Sequence, residues 1–158
     1  MSLKLTSGAF NQAGRIPEKY SKQGGNISPP LEWDGVRNPG KSLVLIVDDP
    51  DAPSGTFVHW LLYAIPVSVH ELKEGIPTTP DLPGGMRQGR NGFGEIGYGG
   101  PQPPTGIHRY FFRLYELDTE IDLPPGASRQ ELERAMHGHI IQQTELMGRY
   151  EHRNSRAA

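Results

Sequence analysis

The sequence predicts a mainly β protein with long ordered loops and few helices, and three observations carry that expectation. Apolar and aromatic runs of strand length recur at Ser42–Asp48, Phe57–Ile65 and His108–Glu116. The 20 Gly and 15 Pro lack the every-third-residue spacing of a collagen, so they mark turns between those runs. A helical period with a capping signal is convincing only after Ser128.

Residues 8–40 read as strand fragments separated by ordered coil, because Ile16-Pro17 and Ser28-Pro29-Pro30 hold the preceding residues away from helical angles. Ser42–Asp48 is continuously apolar in its middle, the pattern of a strand covered on both faces. An Asp- and Pro-rich turn, Asp49-Pro50-Asp51-Ala52-Pro53-Ser54-Gly55, leads into the strand Phe57–Ile65. From Pro66 to Pro104 the chain reads as a long loop, with Phe93, Ile96 and Tyr98 to anchor it. Alternation along His108–Glu116 puts His108, Tyr110, Phe112 and Leu114 on one face and Arg109, Phe111, Arg113 and Tyr115 on the other. Ser128 and Glu131 form a capping-box pair. Apolar residues at helical spacing then predict a helix to about Gly148.

A length of 158 residues suits one domain over 1–150 with a polar tail at 151–158. The absence of cysteine removes disulfides, a thiol nucleophile and thiolate metal sites. A formal charge of -2 offers no field to recruit nucleic acid or an anionic membrane. The apolar stretches are too short to span a bilayer, and the first residues do not read as a secretory signal. A soluble cytoplasmic protein with no cofactor, no nucleic-acid partner and no stable membrane insertion is the expectation.

The candidate site residues each have a plain alternative. Asp49 and Asp51 follow a buried strand in a turn stiffened by Pro50 and Pro53, where Asp51 alternatively only caps backbone amides. His59, between Val58 and Trp60, reads either as a ligand-binding imidazole or as a satisfied core histidine. His108 begins its strand after Gly106 with Tyr110 on the same face, an arrangement that aromatic packing would also explain. Together, two neutral imidazoles, a tyrosine hydroxyl and free loop amides supply converging donors for an anion, with an aspartate orienting one ring. Gly99, Gly100 and Pro101 are expected to bring backbone close to the ligand. Arg109, on the opposite face by parity, either braces the loops through a salt bridge or touches ligand. His137 and His139, two apart on the expected helix, make a poor metal pair. Zinc-protease, phosphate-loop and nucleophile-elbow motifs are absent.

These blocks resemble the phosphatidylethanolamine-binding protein family, in its bacterial and archaeal Raf kinase inhibitor-like branch. The resemblance rests on Asp49-Pro50-Asp51-Ala52-Pro53, Val58-His59-Trp60, and Gly99-Gly100-Pro101 followed by Gly106-Ile107-His108-Arg109-Tyr110. Ile16-Pro17 with Tyr20, and Asn26, Ser28-Pro29-Pro30-Leu31 and Trp33, also fit. The resemblance implies a large central antiparallel sheet against a smaller one, Greek-key connections and few helices. It also implies a pocket at one sheet end for phosphate, acetate or a phosphoryl headgroup. Asp49, His59, His108 and Tyr110 match the family's pocket residues, with Pro101 and Gly100 as lining. Pro50, Asp51, Pro53, Gly106 and Arg109 are expected to support the pocket, and a homodimer is plausible from the branch. Lys22 stands where many prokaryotic members have a cysteine.

A binding protein for a small phosphate-like anion or phosphoryl headgroup, with a regulatory role, is the first reading. The alternative is a protein-interaction scaffold, kinase- or protease-inhibitor-like, in which anion binding is incidental. A hydrolase is disfavoured because the nearest hydroxyls, Ser54 and Thr105, lie in turns and form no recognisable nucleophile arrangement with the histidines.

Overall fold

The computed structural model describes residues 2–151, so the expected tail from 152 onward, His152 included, lies outside the described residues. Two antiparallel sheets organise the described chain. The larger has the order β6 (Arg87–Gln88), β4 (Phe57–Ile65), β3 (Ser42–Asp49), β7 (Ile107–Leu117), β8 (Ile140–Glu151). The smaller has the order β1 (Lys4–Thr6), β2 (Leu31–Asp34), β5 (Glu71–Leu72).

The unbroken apolar run of β3 follows from its central place, with both sheet faces covered. One face, carrying Leu43, Leu45, Val47, Trp60, Leu62 and Phe112, packs against Leu5, Leu31, Trp33 and Leu72 of the smaller sheet. The other, carrying Val44, Ile46, Leu61 and Tyr63, is covered by Ile121, Ala127 and the helix residues Leu132 and Met136. No helix among the described residues is long and apolar enough to cross a membrane.

The helix expected to run to about Gly148 is corrected. Helix α1 spans only Arg129–Met136, and the stretch Ile140–Glu151 is the edge strand β8. The capping box is present at Ser128 and Glu131, but Gly138 at φ 80° takes the chain into a turn. Beyond it, eleven β7–β8 residue pairs, from Ile107↔Glu151 to Leu117↔Ile140, offer a full ladder of hydrogen bonds that outweighs the weak helical period. His137 is therefore the helix C-cap, and His139 lies in the turn beside Asp118, with Nδ1 2.8 Å from its carboxylate.

Pairing of β3 with both β4 and β7 brings the Asp49 end of β3, the start of β4 and the start of β7 together at one end of the large sheet. A register shift sits there. Val47 opposes Trp60 while Asp48 opposes Val58, so His59 is the extra residue of a β-bulge. The bulge breaks strict alternation: Trp60 points into the core between the sheets, and His59 sits on that same side, its ring centroid 5.2 Å from that of Tyr110.

Candidate anion site

At this sheet end four side chains meet: Asp49 from β3, His59 from the β4 bulge, and His108 and Tyr110 from β7. All are buried. The Tyr110 ring meets His59 edge-on and lies nearly parallel to His108, at centroid distances of 5.2 and 6.4 Å. Phe57 and Phe93 close the other side of His59, at 4.9 and 5.7 Å. Sequence reasoning missed both phenylalanines. Phe57 carries no signal beyond being apolar, and Phe93 reads from sequence only as an anchor for its glycine-rich loop.

Both imidazoles are held through Nδ1. In His108 it donates to Asp49 Oδ2 at 2.6 Å, and in His59 it donates to the Gly99 carbonyl at 2.7 Å. Neither acceptor has a proton to give, so each Nδ1 carries hydrogen and Nε2 is the ring nitrogen left uncommitted by these two bonds. Asp49 Oδ1 accepts from the Asp51 amide at 2.8 Å, so both carboxylate oxygens are engaged within the chain. Asp49 thus orients His108 in the manner of a carboxylate behind a histidine ligand. Burial lowers the His59 pKa from its ordinary value, opposed by the carbonyl of Gly99 and the charge of Asp49.

The Tyr110 hydroxyl is buried and has no hydrogen-bond partner of proper geometry in the described chain, although the Gln102 amide acts on it. Burial first, and then the Asp49 charge, raise its pKa far above the ordinary phenol value, so it remains a donor.

Two expectations about donors are corrected. Neutral imidazoles do not offer donors here, because Nδ1 of each is already spent and Nε2 is then an acceptor. The loop amides of Gly99 and Gly100 are not free either. Gly99 donates to the His59 carbonyl at 2.9 Å and Gly100 to Asn26 Oδ1 at 2.7 Å. A Cβ on Gly100 would stand 2.2 Å from the Tyr20 carbonyl, so this glycine makes room for the 20–22 segment and not for a ligand. The Pro101 carbonyl accepts from the Lys22 amide at 2.9 Å. Pro101 also lines a cleft of about 290 Å³ with Ser21, Gln23, Gln102 and Tyr150, and Tyr150 pairs opposite His108.

The supporting residues form a brace. Arg109 lies half-exposed and clamps Asp51, with Nε and Nη2 at 3.0 and 2.8 Å from its two oxygens and the backbone amide at 2.9 Å. That clamp, led by the Arg109 side chain, lowers the Asp51 pKa to about 2. It ties the Pro50–Pro53 turn to β7 beside His108, which Gly106 at φ 66° precedes. Asp48 points the other way, buried between Arg113 at 3.1 Å and Arg129 of α1 at 2.8 Å. Lys22 Nζ rests 2.7 Å from Glu95 and 4.2 Å above the Phe93 ring, at the rim. Among the described residues no group of three or more His, Asp or Glu is placed to hold a metal.

Comparison with known proteins identifies the family. The family model described as phosphatidylethanolamine-binding protein matches residues 6–151. A UPF0098 protein of Methanothermobacter thermautotrophicus is 52% identical over 148 residues, covering 94% of this chain and 98% of the relative. One from Pyrococcus horikoshii is 54% identical over 155 residues, covering 96% and 77%. Among solved structures, a phosphatidylethanolamine-binding protein homologue from Chlamydia trachomatis superposes with a TM-score of 0.87 at 44% identity, covering 95% of this chain and 97% of that one. Escherichia coli YbcL, described as a new member of the mammalian PEBP family, gives 0.88 at 32% identity, covering 96% and 99%. With the whole of the larger sheet, including the strands bearing His59 and His108, inside the matched span, the chain belongs to the phosphatidylethanolamine-binding protein family.

Proposed function

We propose that this protein is a binding protein, without catalysis of its own, whose pocket takes a small phosphate-type anion, a phosphoryl headgroup included. The observation that carries the reading is the buried Tyr110 hydroxyl, a donor with no partner of proper geometry, flanked by two imidazoles each pinned through Nδ1. A buried donor left unpaired costs about 1–3 kcal/mol, which an anionic ligand recovers on binding. Asp49 has both oxygens engaged by its own bonds, so it supports His108 without itself touching the anion. The names of the family and its relatives are consistent with a phosphoryl ligand.

Hydrolysis is the weaker reading because Asp49 orients a ring while no nucleophile among the described residues completes a set. Ser54 and Thr105 are exposed in turns. Calorimetric titration of inorganic phosphate and of phosphoethanolamine near neutral pH, into wild type and His108→Ala, tests the proposal. Binding that the variant loses while its thermal unfolding stays cooperative supports it. Absence of binding to the wild type overturns it.

A further inference from the structure

A deeper inference about this site, resting on the binding reading, comes from counting protons and charges around His59. The Gly99 carbonyl, 2.7 Å from Nδ1, has only lone pairs, so the single proton of a neutral ring is committed there. Nε2 is then a lone pair, and a fully deprotonated oxyanion would meet it acceptor to acceptor. Burial favours this neutral ring.

The surrounding charges do not relieve the conflict. From β3, Asp49 brings a buried negative charge, while Asp48 lies on the opposite side, matched by Arg113 and Arg129. From β7, His108 is committed to Asp49, Tyr110 is an uncharged phenol, and Arg109 faces away to Asp51. Strand β8 contributes Tyr150, opposite His108. From the loops, Lys22 is matched by Glu95 at the rim. Among the described residues, no arginine or lysine without an acidic partner faces the pocket to offset a second negative charge on a ligand. Two negative charges beside Asp49 in a poorly solvated pocket would repel strongly.

We propose that the pocket binds its oxyanion together with one proton, held between the ligand and His59 Nε2, and so favours singly charged oxyanions over doubly charged ones. The proton balance is simple. A monobasic phosphate brings the proton as P–OH and donates it to Nε2; a phosphodiester, which has none, takes it up from solvent onto Nε2 and accepts the resulting N–H. Either way the His59 proton is bound more tightly in the complex than in the ligand-free protein. Affinity is therefore full at pH values where ligand-free His59 is already protonated, below its ordinary range. It falls as pH rises, by about tenfold per unit, until the pKa of the complex is passed.

The test is calorimetry of inorganic phosphate and of dimethyl phosphate in pairs of buffers with different ionisation enthalpies, which counts protons directly. Just above neutral pH, both ligands are expected to bind with uptake of about one proton, and dimethyl phosphate affinity to fall about tenfold over the next pH unit. On mild acidification, inorganic phosphate should cease to take up a proton, because it then carries its own, while dimethyl phosphate continues. Which of the two binds tighter separates free phosphate from a diester headgroup as the source. The variant His59→Gln, checked for cooperative unfolding, should bind with no proton uptake. Binding of both ligands without proton uptake and with pH-independent affinity overturns the proposal and leaves the binding reading standing. Failure of both ligands to bind at any pH overturns both.

Discussion

Replacing Tyr110 by phenylalanine removes one hydroxyl oxygen and leaves the ring between His59 and His108 in place. Fold and function should respond in opposite directions. Tyr110 is 1% exposed and its hydroxyl lacks a partner of proper geometry, so the ligand-free protein carries the desolvation of that group uncompensated. Its removal should leave stability unchanged or raise it by about 1 kcal/mol, a fraction of the roughly 1–3 kcal/mol that an orphaned buried donor costs. For a chain of this size that is a rise in Tm of about 2–4 °C. A hydrogen bond to a charged group contributes about 1.5–3 kcal/mol, so phosphate affinity should fall by about 10- to 150-fold. Thermal unfolding with and without phosphate reads both effects: the variant should melt higher alone and gain less from ligand. Calorimetry then gives the affinity ratio. A Tyr110→Phe protein that loses stability yet binds phosphate like wild type would refute the reasoning, and would place the hydroxyl's partner within the chain, at the Gln102 amide.

Three further outcomes follow from the same geometry. The double variant Arg113→Ala with Arg129→Ala leaves Asp48 buried and unpaired, and should lower unfolding free energy in a denaturant titration by about 3–5 kcal/mol, with each single change costing clearly less. Asp51, held at about 2 by Arg109, contributes stability that is present above the ordinary carboxylate range and lost as pH falls from there toward that value; in Arg109→Ala, stability measured against pH should be flatter across this acid window, the effect being muted by solvent screening of the half-exposed arginine. Lys22→Ala should change phosphate affinity by less than about threefold because Glu95 already neutralises that charge, whereas Glu95→Ala should release the lysine and make binding tighter and more salt-sensitive.

Much of this was legible in the sequence for identifiable reasons. β3 was readable because a central strand covered on both faces must be apolar throughout, and β7 because its alternation of buried and half-exposed residues is regular. The residues that meet at the site were also readable, through the blocks around Asp49, His59 and His108. What failed was whatever depended on partners distant in the chain. Residues 140–151 carry a faint helical period, but the strand state is decided by hydrogen bonds to β7, which no local window contains. His59 lies on the Trp60 side because of a bulge against β3, whereas alternation alone would have placed it on the other face. Which imidazole nitrogen is committed within the chain depends on Gly99, 40 residues from His59 in sequence, and on Asp49, 59 residues from His108. The glycine at 100 was read as a ligand contact because its neighbour, the Tyr20 carbonyl, cannot be seen from composition.

The central claim is that the anion binds against the Tyr110 hydroxyl and, through one shared proton, Nε2 of His59, with the His108 ring beside it. Nitrogen-15 NMR of the histidine side chains during a phosphate titration tests it most directly. Both rings are expected to show hydrogen on Nδ1 throughout, with the Nε2 resonances of His59 and His108 moving together and saturating, while those of His70 and His139 stay still. Nε2 resonances at His59 and His108 that do not respond to phosphate would contradict the account.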